Sequence, residues 1–406
     1  MNPKDMMKIL EDNAYVRTGG TAEELKCAEY IRAEVAKMGL KAELQPFDVD
    51  MARIDVAELT VDGVSYPCTG YFGAGNWDVE APLYYLRKDD KISLSKCRGK
   101  IVLVDNFVGY WKFQDLQEAG AIGYISCNGS LYTPDCDIDQ KEQRSFVHKG
   151  NRMPAVNIHA SDAVKIVRSR GQVAHIRLKQ EEWTGTSHNV ILDIPGEIDE
   201  YIAFTAHYDS TPLSVGVYDN MSGAVGLLYM ADYFAKHPQH YSLRFIWCGS
   251  EERGLLGAKD YCSHPDWIKN CVMNINLDMI GCLMGHFLSC VTGDDKISNY
   301  ISVFSAEMGF QNDVYQDIYS SDSTPFADKD IPAVSFARYP VKGMYGYHDR
   351  YDTIEIMDGE QMAEDFEFIL ALAKRLASAK YFPFERKMPE NMRAKLDNYL
   401  GIKRAK

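Results

Sequence analysis

No two cysteines of this 406-residue chain stand in a C-x-x-C arrangement, although there are ten of them. That absence excludes zinc ribbons and dithiol redox motifs. The thiols are scattered, and the opening MNPKDMMKILEDNAY lacks the apolar core of a secretory signal, so a reducing cytoplasm is the expected location. No run approaches the ~18 uninterrupted apolar residues of a membrane span, and no membrane partner is expected. Basic residues are outnumbered, 44 Lys and Arg against 58 Asp and Glu, for a net charge of −14. Such a chain repels polyanions, so no nucleic-acid partner is expected either. Internal repeats and low-complexity tracts are also missing.

What remains is an ordinary globular composition, 46% hydrophobic and 25% charged, in a chain long enough for two domains. Thr21 and Glu24 have capping-box spacing ahead of a helix whose apolar positions are Leu25, Ala28, Ile31, Val35 and Met38, closed by Gly39. Residues 55–183 change character. Short strands broken by Gly, Pro and Asn, such as Lys100 to Asp105 and Met153 to Ile158, predict a small β-rich unit with its own core. From Asn189 onward the pattern alternates. Strands are predicted near 189–194, 201–206, 242–248, 271–278 and 332–337, and helices over 222–236, 254–263, 295–308 and 359–378. This predicts an α/β domain of three layers, α/β/α, with a mostly parallel mixed sheet. The domain would comprise residues 1–54 and 184–385, interrupted by the 55–183 insertion. Residues 386–406 read as a charged surface helix or tail.

The residues that can bind metal fall at strand ends. The strand at 201–206 runs into His207 and Asp209, that at 242–248 into Glu251 and Glu252, and that ending at Leu277 into Asp278. Asp219 precedes the helix at Ser222, and His348 follows the last strand after a loop. In open α/β sheets, sites lie beyond the carboxyl ends of strands. Each feature has a plain structural reading: a polar loop for His207 and Asp209, a helix cap for Asp219 and Asn220, a first-turn acidic pair for Glu251 and Glu252. Asp278 ends an apolar strand, where a buried charge needs a partner. Two histidines and three carboxylates form the inventory for two divalent ions, one carboxylate bridging, with a further carboxylate left to move a proton. Cysteine is absent from the set, which suits an open catalytic site.

Five segments carry a resemblance: His207-Tyr208-Asp209-Ser210, Asp219 to Gly223, Ser250 to Gly257, Asn276 to Met279 and Tyr347 to Thr353. Together they resemble the co-catalytic dizinc exopeptidases, which include bacterial leucyl aminopeptidases, aminopeptidase Y and glutamate carboxypeptidase. The insertion resembles a protease-associated domain at Gly99 to Val104, Ala119 to Gly123 and Pro154 to Val156. The resemblance implies two Zn²⁺ ions, with Co²⁺ or Mn²⁺ as substitutes. One would be held by His207, Asp219 and Asp278, the other by Asp219, Glu252 and His348. Glu251 would be the general base, Asp209 would orient His207, and Tyr347 would stabilise the oxyanion. The Asp219–Asn220 peptide bond would be cis. The implied activity is an aminopeptidase acting on short peptides; the alternative is a carboxypeptidase or dipeptidase gripping a carboxylate with Arg338, Arg350 or Arg253. Arg338 is a candidate substrate-binding residue, with a strand-end salt bridge as the competing and commoner reading. The family's frequent Ser-Asp-His is here Ser321-Asp322-Ser323, a departure that bears on pocket shape. The inserted unit is a candidate for covering the cleft or for a homodimer contact.

Overall fold

The computed structural model describes residues 1–132, 136–341 and 346–404. Two compact units divide it: Met1–Val49 together with Thr186–Lys406, and Asp50–Gly185.

The first unit opens with a helix that the sequence patterns did not predict, α1 (Pro3–Asp12), closed at its start by reciprocal bonds between Asn2 and Asp5. Helix α2 (Ala22–Lys37) begins at Thr21, whose hydroxyl accepts the Glu24 N–H at 3.3 Å, and ends at Gly39, where φ is +79°. The other half of the expected capping box does not form, because the Glu24 carboxylate turns away and is buried elsewhere. The elements that follow are β1 (Val173–Ile194, of which residues from Thr186 belong here), β2 (Ile198–His207), α3 (Ser222–Phe234), β3 (Tyr241–Cys248), α4 (Leu256–Cys262), β4 (Cys271–Leu277), β5 (His286–Thr292), α5 (Asp295–Met308), β6 (Asp313–Gln316), α6 (Ser323–Asp328), β7 (Ala333–Tyr339), α7 (Gly359–Ala377) and α8 (Glu390–Tyr399).

The strands of this unit pair in the order β6-β5-β7-β4-β2-β3-β1. β2 is parallel to β3 and β4, β4 to β7, and β5 to β6; β1 runs antiparallel to β3, and β5 to β7. The sheet is therefore mixed and mostly parallel. Its two faces are legible in strand periodicity. Ile202, Phe204, Phe245 and Trp247 enter a core with Ala28 and Ile31 of α2, Ala224 and Leu228 of α3 and Phe366 of α7. Their neighbours Tyr201, Ala203, Ile246 and Cys248 enter a second core with Ala258 and Tyr261 of α4 and Phe326 of α6. Successive side chains point to opposite faces, so helices cover both, giving three layers. The charged C-terminal stretch is not loose: Met392 and Leu396 of α8, spaced i, i+4, are buried with Met388 and Ala327.

The second unit pairs strands Trp77–Tyr85, Ile101–Leu103, Gly123–Asn128 and Ala155–His159 in parallel order. Helices Tyr110–Glu118 and Ala160–Ser169 contribute Phe113 and Ile166 to a core shared with Leu103, Ile125 and Val156.

Candidate metal centre

Because β3, β2 and β4 are adjacent and parallel, their carboxyl ends meet at one edge. β2 delivers His207 as its last residue; β3 is followed by Glu251 and Glu252, and β4 by Asp278. Asp219 lies in the irregular turn that enters α3, and His348 follows β7, with φ of +65°.

His207 Nε2 lies 3.2 Å from Asp219 Oδ1 and 3.5 Å from Asp278 Oδ1. His348 Nε2 lies 2.9 Å from Asp219 Oδ2 and 3.1 Å from Glu252 Oε1. The two oxygens of Asp219 thus face different histidines, as a bridging carboxylate must. In each trio, His207–Asp219–Asp278 and Asp219–Glu252–His348, the donor atoms lie within 4.8 Å of one another. Glu251 is buried beside them but belongs to neither trio; its Oε2 is 4.0 Å from His207 Nε2. The Asp219–Asn220 peptide bond is cis.

The partners behind this arrangement explain its order. Asp209 lies 3.3 Å from His207 Nδ1, and its carboxylate accepts the N–H groups of Glu251 (3.0 Å) and Glu252 (3.2 Å). One side chain therefore fixes the backbone of Glu251 and Glu252 and sets a negative charge beside the ring of His207. Asp352 accepts the N–H groups of Tyr218 (2.7 Å) and Asp219 (3.0 Å). Asn220 accepts from Gly223 and Met279 and donates to the Leu277 carbonyl, joining the turn at Asp219 to the end of β4. Residue pattern alone assigns no role to Asp352 and only a helix cap to Asn220, whose further bonds to β4 come from the fold; both lie inside the motifs that carried the resemblance.

The electrostatics are those of a cation site. Burial lowers the pKa of His207, but the carboxylates of Glu251, Asp209, Asp219 and Asp278 outweigh it and hold the imidazole well above its usual range. Burial pushes Asp219 up, yet hydrogen bonds from His207 and His348 bring it below the ordinary carboxylate range. Glu251 is pushed well up by burial and by Glu252, Asp322 and Asp278. Burial and the charges of Asp278 and Asp209, opposed by His207, carry Asp322 to about 7. The buried Oδ1 of Asp278 has no hydrogen-bond partner. A buried carboxylate oxygen in that state awaits a cation. Histidine nitrogen and carboxylate oxygen, without sulfur, suit a divalent ion of zinc type, so the residues present fit the metals the sequence led us to expect.

Tyr347 is exposed, its ring centroid 5.0 Å from that of His348 in an edge-to-face contact. Ser323 is buried in a hydroxyl network with Ser335 and Asn276. The substrate-binding expectation for Arg338 needs correction. Its Nε and Nη2 donate to the fully buried Asp365, at 2.9 and 2.6 Å, and Nη1 donates to the Gly285 carbonyl. The guanidinium is committed to a structural ion pair because it leaves the strand toward α7, and Asp365 in turn accepts the Gly281 N–H. Arg338→Gln should leave KM for peptides within ~2-fold, since no substrate contact is lost. It should cost ~3–5 kcal/mol in denaturant unfolding, because Asp365 is left charged and buried. A KM rise without destabilisation would return Arg338 to the substrate.

A shared-carboxylate ligand set at the carboxyl edge of a mostly parallel sheet, with a buried carboxyl beside it, defines a metal-dependent hydrolase. Residues 189–373 match the sequence model of Peptidase family M28, and the match supports a metallo-exopeptidase hydrolase. The chain is 28% identical over 386 residues to aminopeptidase YwaD of Bacillus subtilis (strain 168), covering 87% of this chain and 80% of that protein. Among solved structures, an aminopeptidase from Aneurinibacillus sp. strain AM-1 superposes with a TM-score of 0.78 at 23% identity, over 95% of this chain and 96% of the other. BSAP, a zinc aminopeptidase from Bacillus subtilis, gives 0.76 at 24% identity, over 96% and 98%. At those identities the structural likeness is one of fold.

Proposed function

We propose that this chain is a zinc-dependent aminopeptidase that removes single residues from the amino ends of short peptides. The observation that carries the reading is the division of Asp219 between two complete ligand trios with Glu251 buried alongside. The relative that shares most of its length with this chain bears the name aminopeptidase, which favours the amino end over the carboxyl end. Two zinc ions would be held by His207, Asp219 and Asp278, and by Asp219, Glu252 and His348. When bound, they polarise the scissile carbonyl and make water acidic enough to ionise near neutral pH.

The protein's own groups do the rest. Glu251 takes a proton from the attacking water, whose oxygen bonds to the carbonyl carbon. As the C–N bond breaks, Glu251 returns that proton to the leaving nitrogen. Burial suits it to both tasks, since it raises the carboxyl's affinity for the proton. Asp209 keeps His207 in orientation and holds the Glu251–Glu252 backbone in place. Tyr347, beside His348, supplies a hydrogen bond to the oxyanion as charge develops. The 55–183 insertion is read as a protease-associated domain, a candidate for a homodimer contact. Among the described residues there is no disulfide, which fits a reducing cytoplasm. Among the described residues no helix is long and apolar enough to cross a membrane.

The test is a panel of unblocked aminoacyl substrates and N-blocked peptides, with and without a chelator. Unblocked substrates should turn over only in the metal-loaded protein, and N-blocked ones should be inert. Release of carboxy-terminal residues from N-blocked peptides would select the carboxypeptidase reading instead.

A further inference from the structure

Glu24 sits on α2, over 200 positions from the catalytic glutamates, and is 1% exposed. Every bond that the structure gives its carboxylate comes from elsewhere than the expected capping box. Oε1 accepts the Ser250 N–H at 2.8 Å, the Ser250 hydroxyl at 3.1 Å and the Ser187 hydroxyl at 2.8 Å. Oε2 accepts the Gly20 N–H at 2.7 Å. Ser250 is the residue that turns the chain from β3 into Glu251 and Glu252, and it does so with φ of +53°, a conformation serine rarely adopts. The approach is close as well: a Cβ on Gly19 would lie 2.3 Å from the Ser250 hydroxyl oxygen. The base and its neighbouring ligand are thus gripped from two sides, by Asp209 on their own N–H groups and by Glu24 on the residue before them.

We propose that Glu24 is a positioning residue for the reaction, acting through Ser250 to hold Glu251 and Glu252 at the angle the metal site requires. The proposal rests on the aminopeptidase reading for its kinetic arm only. Glu24 touches no ligand and is out of reach of any substrate, so its effect should fall on metal affinity and kcat and not on KM. Reach, not charge, is what the role demands. Glutamine keeps the side-chain length and an oxygen for Ser250 and Ser187, and gives up only the bond from the Gly20 N–H, which its amide nitrogen cannot accept. Aspartate keeps the charge, and is as good as glutamate in the first turn of a helix, but is one methylene too short.

The experiment compares wild type with Glu24→Gln, Glu24→Asp and Glu24→Ala. Metal-free protein is titrated with Zn²⁺ by calorimetry, and kcat and KM are measured at saturating zinc. The Asp and Ala variants should lose roughly 10–100-fold in affinity for the weaker zinc site and a similar factor in kcat, with KM within ~3-fold. The Gln variant should stay within ~5-fold of wild type in both. Wild-type zinc affinity and kcat in the Asp variant, or Asp matching Gln, would overturn the proposal, because helix stabilisation alone explains that order. If the Ala variant does not fold, the Gln and Asp pair decides. Should wild type prove to have no aminopeptidase activity, the zinc titration still reads the role of Glu24 while the functional reading falls.

Discussion

Replacing Glu251 with glutamine should lower kcat by ~10²–10⁴-fold while both metals stay bound. The two halves of that expectation have separate grounds. Glu251 is in neither ligand trio, so its loss removes no donor atom. Its backbone N–H, held by Asp209, is unchanged by the substitution. The amide is nearly isosteric and fits the same buried space, but it cannot accept a proton. Burial and the carboxylates of Glu252, Asp322 and Asp278 raise the proton affinity of the native side chain, and that is what a base acting on water needs. Zinc content measured beside kcat separates the two effects. A variant within a few-fold of wild type, fully loaded, would remove Glu251 from the proton transfer.

Chelation should abolish turnover, and zinc or cobalt should restore it. Buried carboxylates from Asp219, Glu251 and Asp278 converge on one volume, and Asp278 Oδ1 has no protein hydrogen-bond donor. Without metal, the carboxylates hold the His207 imidazole well above its usual range in spite of burial. Two consequences follow for pH. Zinc must displace the His207 proton, so its apparent affinity should fall as the solution becomes acidic. In the metal-free protein the protonated His207 contributes stability that is fully present below the ordinary histidine range and is lost as pH rises through the raised native value. The Tm of chelated protein should therefore drop on going from neutral to alkaline pH, and zinc reloading should recover it. Full turnover in protein verified to be metal-free would end the reading.

Much of the fold was legible because the catalytic unit obeys simple periods. Helices α5 and α7 fall almost where their apolar spacing placed them, and β2, β3 and β4 end where their apolar runs end. β5, β6 and α6 were not predicted. β5 is a short apolar run, Phe287 to Val291, buried on both faces, and such a run has no alternation to mark it as a strand. α6 is six residues long and contains a proline, too little for a helical period to register. α1 was passed over although Asn2 and Asp5 form a capping pair. In the site, residue types and strand-end positions pointed to His207, Asp219, Glu251, Glu252, Asp278 and His348 together. For Arg338 a strand-end salt bridge is the commoner reading beside substrate binding, and only the position of Asp365, 27 residues on, shows where its guanidinium is committed.

The sequence by itself determined the donor chemistry: which nitrogen and oxygen ligands exist, and that each follows a strand or precedes a helix. Chain direction then requires them to emerge at one edge, because parallel neighbours end on the same side. The tertiary structure alone decided which oxygen of Asp219 faces which histidine and which side chains hold the ligands still. Arg17 is fully buried and donates to the carbonyls of Asn13, Tyr208 and Gly216; Asp352 takes the N–H of Asp219; Glu24 takes that of Ser250. Most of these bonds join residues more than a hundred positions apart. Local periodicity reports only the face a residue shares with neighbours three, four or two positions away. A buried polar partner is chosen by which unsatisfied group the packed fold brings within hydrogen-bond reach, and that is fixed only once the layers have closed.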